Sequence, residues 1–127
     1  MRPEVAQRLH EKIIAASGGS KGLREPGMLV AICEKPQATF DGHDLYPTLA
    51  DKAAALYEAL INYYVFIDGN KRTAVVALNY FLTINNHELV VDDSALEAFT
   101  LNVATNSPNL AGIAAWIRTH TRKISKK

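Results

Sequence analysis

Apolar residues recur along most of this chain at the three- and four-residue spacing of a helix. Val5, Leu9, Ile13 and Ile14 form the first stripe, behind Pro3, which a first helical turn tolerates. The glycine-rich run 17–22 ends it, because glycine accepts positive φ and breaks the repeat. A short second helix is predicted over 26–35, carrying Leu29, Val30, Ile32 and Cys33. Residues 36–47 read as irregular, with Phe40-Asp41-Gly42-His43 as the turn of a small hairpin. Thr48 with Asp51 three positions on is close to a capping box. The longest amphipathic face follows, through Leu49, Ala53, Leu56, Leu60 and Tyr64.

A new helix is predicted from near Asn70, burying Thr73, Val76, Ala77, Tyr80, Phe81 and Ile84. Residues 88–91 read as a short extended piece. Ser94 with Glu97 reads as the capping box of a helix bearing Leu96, Phe99 and Val103. Ser107-Pro108 reads as a cap and first-position proline for a last helix lined by Leu110, Ile113, Ala114 and Ile117. Residues 121–127 are polar and basic, and are expected to fray. The pattern gives an all-α fold, a compact bundle of about six helices with a short extended flap, in one domain over 1–127.

Composition narrows the classes. A chain of 127 residues, 48% hydrophobic and 21% charged, reads as one globular domain. A formal net charge of +1 favours neither direct nucleic-acid binding nor a membrane partner. The apolar runs are too short to span a bilayer, and the N-terminal residues lack a secretion signal's apolar segment. Cys33 is the single cysteine and reads as a buried small apolar residue, so no intrachain disulfide is expected. Together these fit a cytoplasmic protein.

The candidate chemistry is concentrated in Tyr64-Val65-Phe66-Ile67-Asp68-Gly69-Asn70-Lys71-Arg72-Thr73. Asp68-Gly69 ahead of a helix leaves its first N–H groups without intrahelical partners, and the helix dipole adds positive charge there. That makes an anion site from backbone alone. Lys71 adds a point charge, Arg72 a two-pronged donor and Asn70 an amide. A site for bare phosphate has no use for Asp68. A site for phosphate with Mg²⁺ does, because Mg²⁺ is often shared between one or two carboxylates and substrate phosphates. The loop therefore reads as a nucleotide polyphosphate site, with Phe66 and Ile67 anchoring it to the core. The same letters also make an ordinary turn and a solvated face. The cations favour function, since two at a helix N-terminus oppose the dipole unless an anion joins them.

At these residues the chain resembles the Fic/Doc superfamily, whose signature runs H-x-F-x-[D/E]-G-N-[G/K]-R. Phe66, Asp68, Gly69, Asn70 and Arg72 match it, and Lys71 matches the branch of Doc, the death-on-curing toxins. The resemblance extends through Leu9-His10, Gly18-Gly19, residues 22–27, 35–40 and 44–49. It implies a helical bundle with the motif between two central helices. It implies ATP and Mg²⁺ as cofactors, with Asp68 the metal ligand, Gly69 allowing close backbone approach and Asn70 positioning phosphate. Lys71 and Arg72 would stabilise the transferring phosphoryl group. Doc toxins transfer the γ-phosphate of ATP to elongation factor Tu and halt translation, whereas Fic enzymes transfer AMP. Lys71 in place of glycine, and Val75 where Fic enzymes carry a second arginine, favour phosphoryl transfer here. The resemblance further implies a cognate, Phd-like antitoxin whose disordered tail folds into a helix in the toxin's groove. The stretch around residues 40–43 resembles a flap that docks the target.

One position departs from the pattern. The family's catalytic histidine falls at position 64, where this chain has tyrosine. Imidazole titrates near neutrality and can take the proton of an attacking hydroxyl. Phenol, with an ordinary pKa of roughly 10, is a poor base at neutral pH. Losing a positioned base removes about 10²–10⁴-fold of rate. The protein should then be inactive or weakened, while nucleotide binding survives. Tyr64 is explained by a deliberate replacement of histidine, by a natural, catalytically degenerate member, or by phenolate chemistry beside Lys71, Arg72 and Mg²⁺. A non-catalytic partner-binding module and a Fic-type AMP-transferase are the alternatives. His10, His43, His87 and His120 read as solvated or satisfied side chains, although His43 in the flap could approach the site.

Overall fold

The structure is a computed structural model and describes residues 1–124. Six helices account for most of it: α1 (Pro3–Ser17), α2 (Pro26–Glu34), α3 (Leu49–Asn62), α4 (Asn70–Ile84), α5 (Asp93–Asn106) and α6 (Leu110–Thr119). Four short strands form two antiparallel pairs, β1 (Thr39–Phe40) with β2 (His43–Asp44), and β3 (His87–Leu89) with β4 (Thr121–Lys123). The expected all-α bundle with a small hairpin flap is what forms.

Helix α3 is the axis. Its alanines 53, 54, 55 and 59 are fully buried and let α4 and α6 approach closely. Leu56 and Leu60 of α3 and Leu78 and Leu82 of α4 are also fully buried. Each contributes about 1.5–3 kcal/mol by leaving water. The Thr48–Asp51 capping box forms as the sequence predicts and fixes where α3 starts.

Several faces and caps differ from the sequence expectation. Helix α1 buries Ala6, His10 and Ile14, while Val5, Leu9 and Ile13 are only partly covered. Helix α4 buries Thr73, Ala74, Ala77, Leu78, Phe81 and Leu82 and leaves Val76 and Ile84 exposed. In both helices the buried face mixes alanines, which permit close approach, with large side chains such as Ile14 and Phe81, so it lies rotated from the stripe that apolar spacing alone picks out. Helix α5 is capped by Asp92, whose carboxylate accepts from the Ala95 N–H, and not by Ser94. Helix α6 is capped by Asn109, and Ser107 is instead the left-handed C-terminal cap of α5. Residues 121–123 do not fray, because β3 offers an edge and Arg122 pairs with Glu88 across it at 2.7 Å. The end of the expected frayed tail, residues 125–127, lies outside the described residues. Among the described residues, no helix is long and apolar enough to cross a membrane.

Candidate functional site

The site is built where α3 gives way to α4. Helix α3 ends at Asn62, and Tyr64 takes φ 51°, which turns the chain outward. Tyr64 therefore leaves the buried stripe predicted for it and is 58% exposed. Val65 and Phe66 dive back into the core. They lie against the linker between α1 and α2: Arg24 donates its N–H to Val65 O at 2.8 Å, and Leu23 bridges Phe66. Ile67 is not a core anchor. It is half exposed, donates its N–H to Gly22 O at 3.1 Å, and covers that glycine.

Asn70 closes the loop. Its Oδ1 accepts from the Phe66 N–H at 3.0 Å and its Nδ2 donates to Phe66 O at 2.9 Å. The amide thus braces the turn from inside. Gly69 sits at the N-cap of α4 with φ +76° and no side chain caps the helix. That conformation costs an ordinary residue dearly and glycine little.

Asp68 carries the negative charge of the loop, and Arg72 is the cation beside it. Its Oδ2 accepts from the Ser20 N–H at 3.1 Å and its Oδ1 from the Gly69 N–H at 2.8 Å. Arg72 Nη2 lies 3.9 Å from Oδ1. The Ser20 and Gly69 backbone donors hold the carboxyl below its ordinary range against an opposing effect of burial, with a lesser contribution from the Arg72 charge. Arg72 Nη1 donates to Ser17 Oγ and, at 3.1 Å, to Gly18 O. Lys71 is exposed and makes no ion pair among the described residues. The linker 17–20 therefore grips both the acid and the arginine. Gly19 has to be a glycine: a Cβ there would meet Asp68 Oδ2 at 2.6 Å, at φ +119°.

Sequence reading singled out Asp68 to Arg72 and missed the groups that hold them in place. Ser17, Gly18 and Ser20 contribute a hydroxyl, a carbonyl and an amide N–H, which their letters do not advertise. His10 is also drawn in. It is buried at 2% exposure, stacks on Phe66 with ring centroids 3.9 Å apart, and reaches Asp68 O with Nε2 at 2.7 Å. His43 lies exposed in β2, His87 bonds its neighbour Asn85, and His120 stacks on Trp116, so no hydrogen bond joins any of them to the motif.

The donor set can be tested for a metal. Among the described residues no group of three or more His, Cys, Asp or Glu side chains gathers to hold an ion. Asp68 stands alone, with one hydrogen bond on each oxygen and a lone pair left on each. That suits Mg²⁺ arriving with phosphate oxygens and water, and it does not suit an all-protein site. Beside the loop, α1, α4 and α5 enclose a groove of about 680 Å³ with an apolar floor that includes Ile13, Val75, Val76 and Leu101. Lys71 and Arg72 line it from α4, and the acids Asp93 and Glu97 line it from α5.

Comparison with known proteins fits this geometry. A family model described as the Fic/DOC family matches residues 1–82, and the chain belongs to that family, in its Doc branch. Toxin Doc of Mycolicibacterium smegmatis is 45% identical over 102 residues, covering 79% of this chain and 78% of that protein. Protein kinase doc of Escherichia phage P1 is 30% identical over 116 residues, covering 91% and 90%.

Proposed function

We propose that this chain is the toxin of a bacterial toxin–antitoxin module, a cytoplasmic phosphotransferase that moves the γ-phosphate of ATP to a hydroxyl of a Tu-like elongation factor. The reading rests on one observation above the relatives' names. An ionised carboxylate, a guanidinium and an uncapped helix N-terminus share a single rim at residues 68–72.

Each group has a task in that reaction. The free N–H groups of the first turn of α4 bind phosphate oxygens, together with Lys71. Arg72 uses Nη1 on Ser17 and Gly18, which leaves Nη2 for the transferring group. Asp68, kept ionised by its backbone donors, holds Mg²⁺. The metal, when bound, neutralises charge on the phosphate oxygens. The target's hydroxyl oxygen forms the new bond to phosphorus as the bond to ADP breaks. Its proton needs a base, and Tyr64 is a poor one, so the chain is weakened or inactive as it stands. The groove beside Lys71 and Arg72 suits the helical tail of a Phd-like antitoxin, with apolar residues on its floor and acids toward those two cations.

The test compares the chain with Tyr64→His, using elongation factor Tu and ATP labelled at the γ or the α position. Tyr64→His should raise γ-label transfer by about 10²–10⁴-fold. Transfer of α-label instead makes it an AMP-transferase. No transfer of either label, with no binding of Mg-ATP by calorimetry, makes it a partner-binding module.

A further inference from the structure

We propose that His10 is a positioning residue of this site, whose Nε2–H fixes the Asp68–Gly69 peptide and through it the Asp68 carboxylate. This deepens the nucleotide reading of the loop and rests on it for the part that concerns metal.

Sequence alone places His10 on an amphipathic helix with no evident task. In the fold it is one of three buried residues of α1, between Ala6 and Ile14. Its ring lies parallel to Phe66, with 5° between the planes, so its orientation is fixed by packing. Nε2 is 2.7 Å from Asp68 O. A carbonyl oxygen can only accept, so Nε2 carries the hydrogen. Among the described residues no backbone N–H donates to that carbonyl. The bond is therefore what satisfies it in a half-buried position.

The consequence follows from peptide geometry. In a trans peptide the C=O and the next N–H point in opposite directions. With Asp68 O drawn toward α1, the Gly69 N–H must point away from α1. There it meets Asp68 Oδ1 at 2.8 Å. The same peptide orientation sets up the φ of +76° at Gly69, and hence the angle at which α4 begins. Without the donor on His10 the peptide is free to rotate. The Gly69 N–H then leaves the carboxylate, and the metal ligand loses one of the two bonds that aim it. His10 never needs to touch the nucleotide.

A core-filling role would need only the ring, and a positioning role needs the N–H. His10→Phe keeps the stack on Phe66 and removes the donor. His10→Gln keeps an N–H at similar reach and removes the stack. In His10→Phe, hydrogen exchange at the Gly69 amide of the nucleotide-free protein should quicken about tenfold or more, with the amides of α3 unchanged. Nucleotide affinity measured with Mg²⁺ should fall by about 10–100-fold, the range for lost outer-sphere partners of a metal ligand. Affinity measured in EDTA should hold. His10→Gln should keep Gly69 protected and keep the Mg²⁺ effect, even where its melting temperature falls. The proposal is overturned if His10→Phe exchanges at Gly69 like the parent. It is equally overturned if His10→Gln loosens Gly69 as much as His10→Phe does, since ring packing would then hold the loop. The exchange arm contains no nucleotide, so it decides on His10 even if the parent proves unable to bind Mg-ATP.

Discussion

Helix α3 begins at Thr48, whose Oγ1 accepts from the Asp51 N–H at 3.0 Å while Asp51 accepts from the Thr48 N–H at 3.3 Å. Helix α4 begins at Gly69, with no side-chain cap, and places Lys71 and Arg72 in its first turn. The first arrangement satisfies its exposed donors inside the chain and puts an acid where the dipole favours one. The second leaves donors open and adds cations that the dipole disfavours. Asp68 and the linker 17–20 hold the arrangement together from outside the helix. The difference separates two purposes. The α3 terminus is finished by folding, and the α4 terminus is left open, as the proposed phosphate site requires.

Exchanging the two caps for alanine tests this most strongly. Gly69→Ala forces a left-handed conformation on a residue with a Cβ, costing about 1–2 kcal/mol. The added carbon also meets Ile14 Cδ1 at 3.1 Å, which the flexible end of that side chain can yield to. Stability should fall by roughly that much in urea titration, and Mg-ATP binding should be lost as the loop shifts. Thr48→Ala should cost about 1 kcal/mol by removing a cap. Its Mg-ATP affinity should stay at the parent's value. If Thr48→Ala weakened nucleotide as much as Gly69→Ala, the two termini would not be separate in function.

The contrast was half legible in the sequence. Thr48 and Asp51 sit at the spacing of a capping box, and local chemistry decided that cap without help from the rest of the fold. Asp68 to Arg72 was legible only in part, because the same letters also make an ordinary turn and a solvated face, and it was the two cations opposing the dipole that favoured an anion site. The true caps Asp92 and Asn109 were overlooked because Ser94 and Ser107 offered similar letters two residues away, and only backbone geometry chooses between them. His10 was illegible for another reason. Its partner lies 58 positions distant, and a main-chain carbonyl carries no letter. The same holds for Gly18 and Ser20, which act through backbone groups, while Ser17 offers a hydroxyl to a partner 55 positions away. Side chains that act through backbone groups of another segment leave no pattern in one dimension.

A smaller effect sharpens the difference in sign. Lys71 opposes the dipole of α4 and makes no ion pair among the described residues. Lys71→Ala should raise stability by about 0.3–1 kcal/mol while lowering affinity for Mg-ATP. A cation at an ordinary solvated helix start would change the first and leave the second alone.

The smallest signal is a pH dependence at Asp68. Its carboxyl is held below its ordinary value of 3.8 by the Ser20 and Gly69 N–H bonds and the Arg72 charge. A carboxyl whose pKa is lower folded than unfolded stabilises the fold above the unfolded value. That contribution is lost as pH falls through the folded value. Asp68→Asn removes the charge at every pH and can offer only one acceptor oxygen to the two donors. The parent should therefore melt above Asp68→Asn near neutrality, and the gap should close as pH falls below about 4. Reading the difference between the two proteins cancels the other carboxyls, including Asp44 with Lys52 and Glu88 with Arg122. A gap that stays constant down to about pH 2.5 would mean that the Asp68 charge adds nothing to the fold. The α4 terminus would then be held by its hydrogen bonds alone, as α3 is, and the carboxylate would be kept for the metal only.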